Sequence, residues 1–131
     1  MRTNAGADWQ AGVMADTANT GNTPGQYAPA NYIALTEDTG TPVDTDTTLP
    51  GELETGDSGT LSRVQATYAH TSGTSTYTLT NLFTSDESVT VAKIGVFNDP
   101  TAGTLVFEDL LDPDALLYDG DQILIVETVN Y

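Results

Sequence analysis

Four carboxylates, Asp112, Asp114, Asp119 and Asp121, fall within ten residues in "DPDALLYDGD". Carboxylate oxygens at short spacing are the ligands that hard cations such as Ca²⁺ and Mg²⁺ take. The stretch is not an EF-hand loop, which needs a glycine at its sixth position and a glutamate at its twelfth. Asp119-Gly120 is equally a plain turn dipeptide before a strand. In a chain with 19 acidic residues, such clusters also arise without any metal. Asp44 and Asp46 in "VDTDTT" carry the same two readings. A structural Ca²⁺ or Mg²⁺ is therefore the one ligand these residues suggest, and no organic cofactor is expected.

Catalytic chemistry finds little to work with. His70 is the only imidazole and there is no cysteine. His70 is thus the sole conventional base, but no nucleophile motif accompanies it. A hydrogen-bonded histidine at a strand end is the simpler reading. Paired carboxylates hydrolyse glycosides only when burial raises the pKa of one of them. The acids here lie mostly in turn-forming stretches, where water keeps them ionised. No enzyme activity is expected. Lys93 interrupts an apolar run, "SVTVAKIGVF"; it either snorkels to a sheet edge or pairs with a carboxylate.

The elements that position these residues read as strands. "NYIALT" at 31–36 is a first strand. Some two dozen turn formers, threonines and acids follow, a length that marks a functional loop or hides a short strand. In "SRVQATYAHTSGTSTYTLTNLF", apolar and polar residues alternate on both sides of Ser72-Gly73, the pattern of a hairpin. A two-residue turn at Ser72-Gly73 sets Tyr68 opposite Tyr77 and Ala66 opposite Leu79. "SVTVAKIGVF" is apolar on both parities, as a central strand is, and "DQILIVETV" is also apolar on both faces. "IGVFNDPTAGTLVFE" is another hairpin. The fold expected is all-β: an antiparallel β-sandwich of six to seven strands, jelly-roll or immunoglobulin-like, over residues 31–131. Residues 1–30 read as an N-terminal arm with one possible short helix, capped by Asp8, and an extended stretch over "TANTGNTPGQYAP". Trp9, Val13 and Met14 share one side of that helix. They are the interface residues expected to dock the arm on a neighbouring subunit or the particle, with Trp9 as anchor, because so little apolar surface does not fold alone; the alternative is that Trp9 folds back over one open end of its own domain.

Charge narrows the partners. The chain of 131 residues carries 3 basic and 19 acidic residues, a net charge of −16. That field repels phosphate backbones and anionic membrane surfaces, so neither nucleic acid nor membrane is an expected direct partner. With 38% hydrophobic residues the chain is still expected to fold. A carboxylate-rich, lysine-poor surface suits molar salt, where the Debye length is about 3 Å. "MRTNAGADWQ" has no apolar leader segment, and "ILIV" at 123–126 is the longest clear apolar run, too short to span a bilayer.

From about Tyr27 to Tyr131 the chain resembles a family of small β-rich virion structural proteins of tailed double-stranded DNA viruses, labelled tail-fibre-like or head-associated. The likeness lies in "YAPANYIALTEDTGTPVDTDTTLPGE", "SRVQATYAHTSGTSTYTLTNLF", "KIGVFNDPTAGTLVFE" and "GDQILIVET", in that order. The acidity of "TEDTG" and "TDTT" departs from the pattern. With the salt-adapted composition, the resemblance implies a virus of a halophilic archaeon. It implies a homo-oligomeric, non-enzymatic component of the virion, an extracellular particle in high salt, contacting other virion proteins. A head-surface decoration or turret-like protein is the leading expectation. The alternatives are a tail or tail-fibre component meeting a host surface receptor, and an archaeal surface carbohydrate-binding module.

Overall fold

A computed structural model describes residues 1–15, 28–53 and 60–131. Its elements are α1 (Asn4–Ala15), β1 (Tyr32–Thr36), β2 (Val64–Gln65), β3 (Thr67–His70), β4 (Thr76–Thr84), β5 (Val89–Phe97), β6 (Leu105–Leu117) and β7 (Gln122–Asn130). They form two antiparallel sheets, β2-β1-β5-β6 and β3-β4-β7. The protein is an all-β sandwich. Its strand order differs from that of a constant-type immunoglobulin domain, in which the first strand pairs only with the second; here β1 lies between β2 and β5. Ala66 is the crossover. It separates β2 in one sheet from β3 in the other, and its N–H bonds Asn31 O at 2.7 Å.

The core lies between the sheets. Ile33 and Leu35 of β1, Val91, Ile94 and Val96 of β5 and Val106 of β6 meet Leu79 and Phe83 of β4 and Ile125 of β7. The far face of the four-stranded sheet is also covered. There Ala34, Phe97 and Leu105 pack with Leu49, which comes from the long loop after β1. This explains why β5 is apolar on both parities: it is buried along almost its whole length. The long loop is therefore a cover, fastened by a bridge between Thr36 and Glu52 and by the Leu53 N–H to Leu35 O bond of 2.9 Å. Residues 54–59 of the stretch lie outside the described residues.

The Ser72-Gly73 hairpin has the expected faces but a register shifted by two. Tyr68 pairs with Leu79 and His70 with Tyr77. A two-residue primed turn of type I′ needs positive φ at both central residues. Only Gly73 has it, at φ 87°, and Thr74 N–H closes the turn on Thr71 O at 3.2 Å. A turn of that kind splays the strands, and pairing begins only at His70. Because the shift is even, Tyr68 and Tyr77 still share a face, with ring centroids 5.8 Å apart.

The N-terminal segment corrects the arm reading. Thr3 N–H bonds Val106 O at 3.0 Å and Glu108 N–H bonds Met1 O at 2.9 Å, so the first residues extend the edge of the sheet along β6. The cap of α1 is Thr3, whose Oγ1 accepts the Gly6 N–H at 2.9 Å. Asp8 lies inside the helix. Gly6 sits so close to β6 that a Cβ there would meet Val106 O at 2.3 Å. Trp9 packs against the protein's own core, and its indole N–H bonds Ala28 O at 2.9 Å. The indole has an apolar site in its own domain, so it is not free to anchor a neighbour. Val13 and Met14 do remain exposed, at 47% and 76%. Residues 17–27 of the expected extended stretch lie outside the described residues.

Candidate functional site

Strand β6 departs most from the sequence reading. It continues through Asp112, Pro113 and Asp114, residues that strands disfavour. It can do so because β6 is an edge strand. Its register against β5 also jumps, from Lys93–Leu110 to Val91–Ala115, so the intervening residues bulge out of the ladder. This disperses the carboxylates proposed for a cation. Leu117 ends the strand and Asp119 and Asp121 sit in the turn beyond it. The rest of the bulge and the last part of β6 stand between Asp112 and that turn. Asp121 is engaged by the Tyr118 N–H at 2.8 Å. Among the described residues no three acidic or histidine side chains converge to hold a metal ion. Asp44 and Asp46 serve the covering loop instead: Asp44 O accepts the Asn4 N–H at 2.7 Å, and Asp46 accepts the Val43 N–H at 2.9 Å.

Two features remain that the sequence reading did not assemble. The first is a buried polar cluster on the covered face of the four-stranded sheet. Thr36 pairs with Lys93, which places Asp38, two residues past the end of β1, over the Lys93 side chain. Lys93 Nζ lies 2.6 Å from Asp38 Oδ2 and 4.0 Å from Glu108 Oε2. The Lys93 side chain is 3% exposed and Glu108 1%. Asp38 keeps its carboxyl below the usual range, chiefly through the Lys93 hydrogen bond. Glu108 behaves oppositely. Burial, and then the adjacent Asp46, push its pKa up to about 7, although Lys93 pulls the other way. Neither Glu108 oxygen accepts a bond from any donor group. A proton held on Glu108 and shared with Asp46 resolves this, and it agrees with the lowered pKa of Asp46. On the opposite face of β6 a second acid pair repeats the pattern. Burial and its hydrogen bond with Asp109 raise Glu127 to about 8, while Asp109 also holds the N-terminal ammonium at 2.6 Å. In the sequence Glu108 was only the last residue of the "IGVFNDPTAGTLVFE" hairpin; the signal available was a glutamate one strand away from the only lysine.

The second feature is aromatic. Tyr77 touches Tyr68 and Tyr131, with centroids 5.8 and 6.0 Å apart, and His70 lies 6.3 Å from Tyr131. Tyr68 and Tyr131 are 61% and 63% exposed. His70 Nδ1 is within 2.8 Å of Thr76 O, a hydrogen-bonded histidine at a strand end. Three of the six tyrosines, scattered in sequence, thus gather at one end of the three-stranded sheet. Arg63, by contrast, is structural. It grips both oxygens of Glu52 at 2.6 and 2.9 Å, bonds the carbonyls of Asp99 and Ala102, and lies 3.5 Å over the Phe97 ring. No protein-family model, curated protein or solved structure matches the chain.

Proposed function

We propose that the protein is a non-enzymatic structural component of a virion, working in molar salt as an oligomer on the head surface of a tailed virus of a halophilic archaeon. The observation that carries the oligomeric role is an apolar strip on the outer face of the three-stranded sheet. Leu82 stands opposite Leu124, with Val126 next along the same face. They are 54%, 58% and 52% exposed, among threonines. Three large aliphatic side chains on a face that packs on no core are a natural contact for a second copy of the chain. Light scattering in molar salt tests this. The wild-type chain is expected to run as an oligomer, and Leu124→Asp as a folded monomer. A wild-type monomer at about 100 µM would remove the support. Copy number in purified particles then separates head from tail.

The clustered Tyr68, Tyr77 and Tyr131 favour a second reading, a recognition surface in a tail fibre or a carbohydrate-binding module. Exposed ring faces suit the apolar faces of sugars. On that reading host-envelope glycan binds the wild-type chain, and Tyr68→Ala weakens binding about tenfold. Equal binding by the two chains, or none by either, rejects it.

A further inference from the structure

We propose that Lys93 and Asp38 become joined by an amide bond that the chain forms by itself, with Glu108 as the acid–base catalyst. Three groups of the right kind stand around the Lys93 side chain: its own buried amine, the Asp38 carboxyl, whose side chain is 32% exposed, and the buried acid of Glu108. Lys93 Nζ is 2.6 Å from Asp38 Oδ2. The Gly40 backbone N–H also bonds the Asp38 carboxylate. Glu108 Oε2 stands 4.0 Å from Nζ, buried and without a donor group of its own. Holding reactants in contact replaces a bimolecular encounter with an effectively unimolecular step. A buried ammonium is costly to keep charged, and condensation removes that charge together with its partner's.

The step balances without any co-reactant. Lys93 passes one proton to Asp38, giving a free amine and a carboxylic acid. The Nζ lone pair attacks Asp38 Cγ and the C–N bond forms. Glu108 gives its proton to a hydroxyl on Cγ and, as the carboxylate so formed, takes one from the nitrogen. The C–O bond breaks and water leaves. Glu108 ends protonated, as it began. The product ties the start of the covering loop to the buried strand β5 by a bond that neither salt nor reductant breaks. It also closes a long loop, which restricts the unfolded chain.

The test is the intact mass of the full chain, folded and incubated in molar salt, together with a tryptic digest after denaturation. The expected mass is below the sequence mass by one water. The sites for trypsin are Arg2, Arg63 and Lys93. An acylated Lys93 resists cleavage, so 3–63 and 64–131 should emerge as one branched species. Lys93→Arg and Asp38→Ala should restore the full mass, and Glu108→Ala should slow the loss of water at least tenfold. An unchanged wild-type mass, with separate peptides 3–63, 64–93 and 94–131, would overturn the proposal and leave an ion pair only. So would a lost water with normal cleavage at Lys93, since an Asp-Gly imide has the same mass. Water loss in Glu108→Ala at the wild-type rate would overturn the role of Glu108.

Discussion

Raising the pH from about 5 to 8 in molar salt is expected to lower the melting temperature, the reverse of ordinary acid denaturation. Glu108 and Glu127 both contribute, and Glu108 is the more deeply buried. Its pKa is about 7 in the folded protein against 4.5 for an ordinary glutamate. Between those values the folded chain holds a proton that the unfolded chain has lost. Stability rises with pH only where the unfolded state binds more protons, so here it falls. The loss begins near pH 4.5 and is complete above about 7. Its size is on the order of 3 kcal/mol, the free-energy equivalent of the shift. For a domain of this length that is roughly 10 °C in Tm. Glu127, raised to about 8 beside Asp109, acts in the same direction and extends the window upward. Asp46, and Asp38 wherever it is a free carboxylate, act oppositely. Their lowered pKa values give stability that is present above the ordinary aspartate range and lost only in more acid solution. Greatest stability is therefore expected near pH 5. Glu108→Gln keeps a donor for Asp46 and removes the titration, so it should flatten the profile and melt higher than wild type at pH 8. Calorimetry across pH 4–9 checks this. A wild-type Tm that is flat or rising between pH 5 and 8 would show that Glu108 does not hold its proton.

The same buried acid marks where the sequence stops being legible. Alternation in β4 and the doubly apolar run of β5 identified strands and even faces, because burial on one or both sides leaves a direct trace in residue type. Ile123 and Ile125 of β7 do face the core, but Leu124 and Val126 are exposed. The doubly apolar pattern that marks a central strand thus also describes an edge strand with a sticky outer face. Asp112, Pro113 and Asp114 concealed the second half of β6, since edge position and a bulge tolerate residues that propensity rejects. Register was less legible than face. The splayed turn moved every pair of the Ser72-Gly73 hairpin by two residues while leaving each side chain on its predicted side. The polar cluster was invisible for a different reason. Asp38, Asp46, Lys93 and Glu108 come from one loop and two strands, and no spacing along the chain relates them. The same holds for Trp9, whose partner surface is the core left open beside β6.

Lowering NaCl from molar concentrations to about 0.1 M is expected to produce the largest change of all, a fall in Tm on the order of 10 °C or more and loss of the folded state in dilute buffer. The cause lies in where the few cations are committed. Arg63 is held by Glu52, Lys93 by Asp38, and the N-terminal ammonium by Asp109. At most Arg2 is left for the other carboxylates, and its guanidinium already bonds the Gln10 side chain. Exposed acids such as Glu37, Asp86, Asp112, Asp114 and Asp119 therefore repel one another through solvent. At about 1 M salt the screening length is roughly 3 Å; at 0.1 M it is about 10 Å, enough to reach several neighbours on a domain this small. Unfolding spreads the same charges apart, so weaker screening favours the unfolded chain. The covering loop should loosen first. It carries Glu37, Asp44 and Asp46, and it is the element that shields Lys93 and Glu108. Matched melts in NaCl and in KCl separate screening from specific binding, because screening depends on ionic strength alone. Circular dichroism at 0.1, 0.5, 1 and 3 M of each salt is the measurement. A Tm independent of salt would mean that the acidic surface is not an adaptation to it, and the halophilic assignment would fall while the sandwich stood.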